Sequence, residues 1–378
     1  MSQPPKQPGR SKYLQSPWLE SILMGSAIVV SYICLTVLAM ASGEPMPGEM
    51  ATTNIVLILF AFFLLSTAIA VVGVIAGIGG GVIFTPIMLA FTDVHSLVVR
   101  GTGLIVAMFS GPLSTGVFMR KGLVNYRLSL VMTLSQGLGA LVGATFAILA
   151  VARTGVAGEG ILRMALGLIL VALAVFFIAG GKKLENPEIS RVDKFTRWLK
   201  LGGKYYEASE GQIRDYEVTR APLGIVLLFL IGILGGFFGM GGGWAITPAL
   251  NIGMGMPLRL AAANSNVILS LGSGISIWPY VFAGGVIPLF VLPWMCGQAV
   301  GGLIGAYVLA KIKVAVVRII LIGIMIFTGF TLVTRGLEMV GFIGPIPAIV
   351  QVLVFVLTMG GALLTIFFKH GKRGEPNA

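Results

Sequence analysis

Long apolar runs separated by short polar interruptions make up most of this chain. They cover Trp18–Ala41, Asn54–Ala76, Ser129–Ala150, Ile161–Ile178, Pro222–Phe238, Leu260–Phe282, Ile287–Ala310, Val314–Val333 and Ile346–Phe368. Most reach the roughly 20 residues that a helix needs to cross about 30 Å of hydrocarbon. The pattern predicts an all-α polytopic membrane protein. Two shorter apolar segments, Gly79–Thr92 and Gly241–Met254, break it, each opening on three consecutive glycines.

The glycine segments read GIGGGVIFTP from Gly77 to Pro86 and GMGGGWAITP from Gly239 to Pro248, 162 residues apart. At the same offset Gly122 falls on Gly284, Gln136 on Gln298, Gly139 on Gly301, and Gly143-Ala144 on Gly305-Ala306. A shorter loop then brings Leu162-Arg163 opposite Val317-Arg318. This is an internal duplication. It divides the chain into a tail with an extra helix (1–53), a first repeat (54–181), a polar linker (182–221), a second repeat (222–335), and a final helix with a basic tail (336–378).

Composition agrees with the membrane reading: 56% of residues are hydrophobic and 11% charged, outside the range of soluble domains. The net charge of +12 resides in loops and at the ends of apolar runs, so it marks topology and not a nucleic-acid surface. Cys34 and Cys296 form no metal-ligand or disulfide pattern, and no cofactor is expected. Lys6, Arg10 and Lys12 precede a run ending Ala39-Met40-Ala41, which has the form of a signal peptide; its length favours an uncleaved first helix.

Basic residues set the orientation. If each short segment crosses together with its partner helix, Arg120, Lys121, Arg127, the linker, Lys311, Lys313, Arg318, Lys369, Lys372 and Arg373 all face the cytoplasm. Both termini are then cytoplasmic, and Glu44, Glu49, Arg153, Glu159, Arg335 and Glu338 lie outside. With the helix that begins around Thr102 added to its four apolar segments, the first repeat has five like the second, an odd number, so the two repeats have opposite orientation, the architecture of secondary transporters. The linker carries nine Lys/Arg and seven Asp/Glu between Lys182 and Arg220. Phe195, Trp198 and Leu199 among Arg191, Lys194, Arg197 and Lys200 suggest either a short amphipathic helix on the membrane surface or a solvated connection.

A helix that ends at membrane depth leaves backbone groups that lipid cannot satisfy, so such a break belongs in protein or beside a water-filled cavity. Gly79, Gly80 and Gly81, and Gly241, Gly242 and Gly243, permit a sharp turn that frees backbone N–H groups at the start of the next helix, where anions bind. No Gly-Lys-Ser/Thr follows either run, which excludes a nucleotide-phosphate loop. Hydroxyl and amide donors suited to an oxyanion follow: Thr85, Thr102, Thr247, Asn264, Ser265 and Asn266, then Ser270, Ser273 and Ser276. Gln136 and Gln298 hold equivalent positions and either face one another or tie helices. The Gly139/Gly143 and Gly301/Gly305 spacings suit close helix packing. Arg100 and Arg259 are candidates for holding an anion or a gate, or mark the membrane edge, and Asp93 with His95 is the one pair that would couple protons.

The doubled GxGGGxxxTP element, followed by Thr102 in one half and Asn264-Ser265 in the other, resembles the sulfite exporter TauE/SafE family of membrane permeases. The resemblance spans about 54–335 and implies an inner-membrane secondary transporter of sulfite, sulfonates, thiosulfate or small carboxylates. The first helix and the long linker depart from the shortest members. A small anion and the bilayer are the expected partners, with a homodimer left open. An enzyme is disfavoured, since His95 and His370 are the only histidines and no HExxH occurs. An anion channel and a non-transporting scaffold or receptor remain the alternatives.

Overall fold

A computed structural model describes residues 52–76, 78–92, 94–120, 122–179, 192–207, 212–309 and 314–344, with short stretches between 346 and 361. The first helix and its signal-like flank, Gly77, Asp93, Lys121, the 180–191 part of the linker, Lys311, Lys313 and the basic tail lie outside the described residues.

Helix α1 (Thr52–Ala76) is followed by the short α2 (Gly81–Phe91), α3 (Ser96–Arg120) and the long α4 (Tyr126–Ala179). Helix α4 is two helices joined at Gly155, whose φ of 58° breaks the helical path. After the linker come α6 (Ala221–Phe238), the six-residue α7 (Gly243–Pro248) with a π-helical turn at Ala249–Gly253, α8 (Leu258–Ser276), α9 (Trp278–Phe282), α10 (Pro288–Leu309) and α11 (Val314–Val340). Six helices among the described residues are long and apolar enough to span a membrane.

Adding 162 to the bounds of the first half lands on bounds of the second. Ala76 falls on Phe238, Gly81 on Gly243, Ser96 on Leu258, Arg120 on Phe282 and Tyr126 on Pro288. The halves interlock rather than standing side by side. Helix α1 packs along α10, and α6 packs along the first part of α4. Small residues make both contacts. A Cβ on Gly139 or Gly143 would fall 2.1 or 1.9 Å from the carbonyl oxygen of Phe229 or Ile233. One on Gly301 or Gly305 would fall 2.3 or 3.0 Å from that of Thr67 or Val71. The four contacts are equivalent in pairs, and they place these glycines in helix packing.

Helices α3 and α8, also equivalent, meet head to tail. Gly101 abuts Gly285 beyond the end of α9, while Gly111 abuts Asn266 and Ser270. The outward faces are apolar, with Leu130, Leu134, Leu138 and Phe146 of α4 exposed at helical spacing, as a lipid-facing surface requires.

The described part of the linker, 192–207 and 212–220, holds secondary structure. A short helix α5 (Lys194–Leu199) precedes a hairpin of β1 (Gly203–Glu207) and β2 (Gln212–Tyr216), the one β element among the described residues, which are otherwise helical or irregular. Asp193 caps α5 by accepting the Thr196 N–H at 3.0 Å, and it also accepts the Arg220 N–H at 2.7 Å. Leu201, Tyr205 and Val218 bury themselves in one core with Phe118, Leu128, Met254, Met256 and Leu260. Phe195 and Trp198 remain exposed.

Candidate functional site

The chain makes the same turn twice. After α1, the N–H groups of Ile78 and Gly79 both donate to Gly73 O, at 3.0 and 3.2 Å; after α6, those of Met240 and Gly241 donate to Gly235 O, at 3.1 and 3.2 Å. Gly79 (φ 75°) and Gly241 (φ 68°) adopt the left-handed conformation that side chains resist. The next helices then begin, with Phe84 N–H on Gly80 O at 2.9 Å and Ile246 N–H on Gly242 O at 3.1 Å. Among the described residues, the N–H groups of Gly80, Gly81, Gly242 and Gly243 donate to no backbone acceptor. These are the orphan donors of a helix start.

The two turns touch each other. A Cβ on Gly81 would fall 2.8 Å from Met240 O, and one on Gly243 would fall 1.8 Å from Ile78 O. Ile78 and Met240 are themselves equivalent, so the contact is isologous: each turn uses the same surface against the other. Leu269 covers both, with Cδ2 toward Gly79 and Cδ1 toward Gly241.

The paired glutamines cross over in the same way. Gln298 lies against Gly80, and Gln136 lies against Gly242 and Gly272; both are fully buried. Gln298 Nε2 donates to Ser66 O at 3.0 Å and to Ser66 Oγ at 3.1 Å. A backbone carbonyl only accepts, so nitrogen is the end facing Ser66 and Oε1 faces Gly80, where it has no donor. Gln136 has no partner at either end, and its Nε2 lies 3.2 Å from the Cβ position of Gly242. Ser273 Oγ, also unpartnered, lies 3.2 Å from the Cβ position of Gly241. Buried polar groups normally find partners, and a cluster of unfilled ones around two free helix starts is the pattern of a ligand site.

Other expected residues do different work. Thr85 Oγ1 donates to Gly239 O at 2.8 Å, so its proton ties the two turns together and is not free for an anion. Asn264 is saturated: Nδ2 donates to Leu123 O and Leu260 O, and Oδ1 accepts from Asn125 N–H and Ser129 Oγ. Its amide fastens α8 to the α3–α4 turn. Ser270 donates to Met108 O and Ser276 to Ser273 O, while Asn266 donates to Ala262 O. Thr102 is buried with an unpartnered hydroxyl; Thr247 and Ser265 are buried as well. Arg259 is half-buried in the first turn of α8. His95 is exposed and accepts Leu97 N–H at 3.4 Å.

From the sequence Glu159 had a side of the membrane and no partner. It is buried, with Oε2 at 3.2 Å from Arg100 Nη2 and Oε1 at 3.2 Å from Arg163 Nε. The i,i+4 spacing of Glu159 and Arg163 was a readable signal; the approach of Arg100 was not. Ser66, which orients Gln298, and Leu269, which covers both turns, carried no signal in the sequence.

A family model described as sulfite exporter TauE/SafE matches residues 58–332. The chain is 27% identical to a probable membrane transporter protein, YunE, of Bacillus subtilis (strain 168), over 70% of this chain and 94% of that protein. It is 29% identical to the probable membrane transporter protein ORF9 of a Sinorhizobium species, over 67% of this chain and 84% of the relative. A third relative, sulfite exporter TauE/SafE family protein 1 of Arabidopsis thaliana, is 30% identical over 29% of this chain and 25% of its own length. No solved structure matches the chain.

Proposed function

Because this chain belongs to the sulfite exporter TauE/SafE family, and so to membrane transporters rather than enzymes, we propose that it carries small sulfur-containing anions or organic acids by alternating access at its paired glycine turns. The substrate class is sulfite, sulfonates, thiosulfate or small carboxylates. The observation that carries the reading is the pairing of Gly242 with Gln136, whose unpartnered amide nitrogen, unlike the Gln298 oxygen that faces Gly80, is a donor. It gathers free backbone N–H groups, the Gln136 amide and the Ser273 hydroxyl into one buried place where an oxyanion is stabilised by oriented dipoles.

An inverted relation between the repeats is supported by the head-to-tail contact of α3 with α8. Equivalent helices that run antiparallel are related by an axis perpendicular to them, and for spanning helices that axis lies in the membrane plane. Substrate at the axis is then reached from either side as one half rocks against the other. The proposal includes a multi-pass chain in a bacterial inner membrane with both termini cytoplasmic, as the basic loops favour.

Binding is the first test. Purified protein in detergent should gain thermal stability with increasing sulfite, thiosulfate, ethanesulfonate or small carboxylates, saturably and beyond the effect of equal ionic strength. A full panel without saturable stabilisation would contradict the proposal.

A further inference from the structure

Beyond the glycine turns, Arg100, Glu159 and Arg163 form a second buried cluster. Arg100, in the second turn of α3, is 1% exposed. Its Nη2 meets Glu159, while its Nε and Nη1 are buried without a partner among the described residues. Glu159 has two further donors, Ser96 Oγ at 2.8 Å and Arg163 Nε at 3.2 Å. Arg163 Nη1 in turn donates to Leu89 O, in the last turn of α2, at 2.8 Å.

Among the described residues, two guanidiniums and one carboxylate give this cluster a net positive charge, and burying an uncompensated charge is costly. The backbone that carries Arg100 abuts the second glycine turn. The Cα of Arg100 lies 2.3 Å from where a Cβ on Gly239 would stand, at the head of the second glycine turn.

We propose that Arg100 is a second station for the transported oxyanion, and that Glu159 is a built-in anion which occupies Arg100 until the substrate displaces it. This rests on the anion-transport reading above. Release of Glu159 from Nη2 opens the Nε–Nη2 fork of Arg100, whose two parallel N–H groups match two oxygens of a sulfite, sulfonate or carboxylate group. The displaced carboxylate is not stranded, because Ser96 and Arg163 still hold it. A bound monoanion then neutralises the charge left over in the cluster. When the anion leaves, Glu159 returns, which prevents Arg100 from trapping its cargo.

The test is the half-saturation constant for uptake into proteoliposomes, with radiolabelled sulfite as the probe. Glu159→Gln removes the competitor and should lower the half-saturation constant about tenfold, as one hydrogen bond to a charged group would, with a lower maximal rate from slow release. Arg100→Lys keeps the charge but loses the fork, and should raise the constant by a similar factor. Should Glu159→Gln not fold, Arg100→Lys decides alone. A purely structural cluster would lower the amount or maximal rate of folded protein and leave both constants at the wild-type value, and that result overturns the proposal. Wild-type protein without saturable uptake would instead overturn the transport reading itself.

Discussion

Ser270 donates its hydroxyl to the backbone carbonyl of Met108, and the two residues are separated by the 162 positions that separate the repeats. Equivalent positions touch only where a symmetry axis passes between them. The crossed contacts of Gly81 with Met240 and of Gly243 with Ile78 lie about the same axis. The candidate site is therefore built where the halves are forced together, and its parts come equally from both.

Loss of the Ser270 tie should be tolerated, because a hydrogen bond between membrane helices contributes about 0.6 kcal/mol on average. Ser270→Ala should unfold slightly more easily and still transport. Ser270→Leu is different, since the Ser270 Cβ already lies 2.3 Å from the Cβ position of Gly111. It should separate α3 from α8 and reduce transport severely. Thermal unfolding and uptake measured on both variants check this.

Gly143→Leu and Gly305→Leu should destabilise the protein by forcing apart α4/α6 and α1/α10 respectively. Overpacking of this kind costs about 1–3 kcal/mol. The Gly143 variant should suffer more, because its Cβ would stand 1.9 Å from Ile233 O against 3.0 Å from Val71 O for Gly305. Melting temperatures measured side by side in one detergent give the order.

The linker should respond to acid. Burial pushes the Asp193 carboxyl up, but the hydrogen bonds from Thr196 and from the Arg220 N–H outweigh it and hold it below the ordinary aspartate range. A group with a depressed folded pKa contributes stability that is present above its unfolded pKa, about 3.9, and is lost as pH falls through the folded value. Limited proteolysis between α5 and α6 should therefore accelerate below about pH 4. Asp193→Asn should show the accelerated cleavage at neutral pH, with little further change on acidification.

The helical, membrane-spanning architecture was legible in apolar length, and the positions repeated at an offset of 162 fall at matching places in the fold. Gly80 and Gly242, Gln136 and Gln298, and the Gly139/Gly143 and Gly301/Gly305 pairs each mark the same place twice, and the helix bounds follow that offset. Apolar length marked the other spans but not Ser96–Arg120, whose polar positions interrupt the run. The fold brings the glycines and glutamines of both halves together, as their equivalent positions suggested, but the partners of Thr85 and Asn264 were not legible, since sequence shows a donor without showing where its proton is spent. Glu159 escaped for a related reason. Its loop position sets an expected side of the membrane but names no partner, because Arg100, 59 residues earlier, is brought to it only by the fold. The hairpin in the linker was hidden by charge, because only Tyr205 and a few neighbours turn inward while the rest of the segment is polar.

The central claim is that an anion is held between the two glycine turns. Its most direct measurement is saturable uptake of radiolabelled sulfite into proteoliposomes by wild-type protein, by Gln136→Leu and by Gly242→Leu, each first shown to be folded and monodisperse. The account predicts uptake by the wild type, a half-saturation constant raised about tenfold in Gln136→Leu for one lost hydrogen bond to a charged ligand, and near-complete loss in Gly242→Leu. Wild-type constants and rates in both folded variants would contradict it.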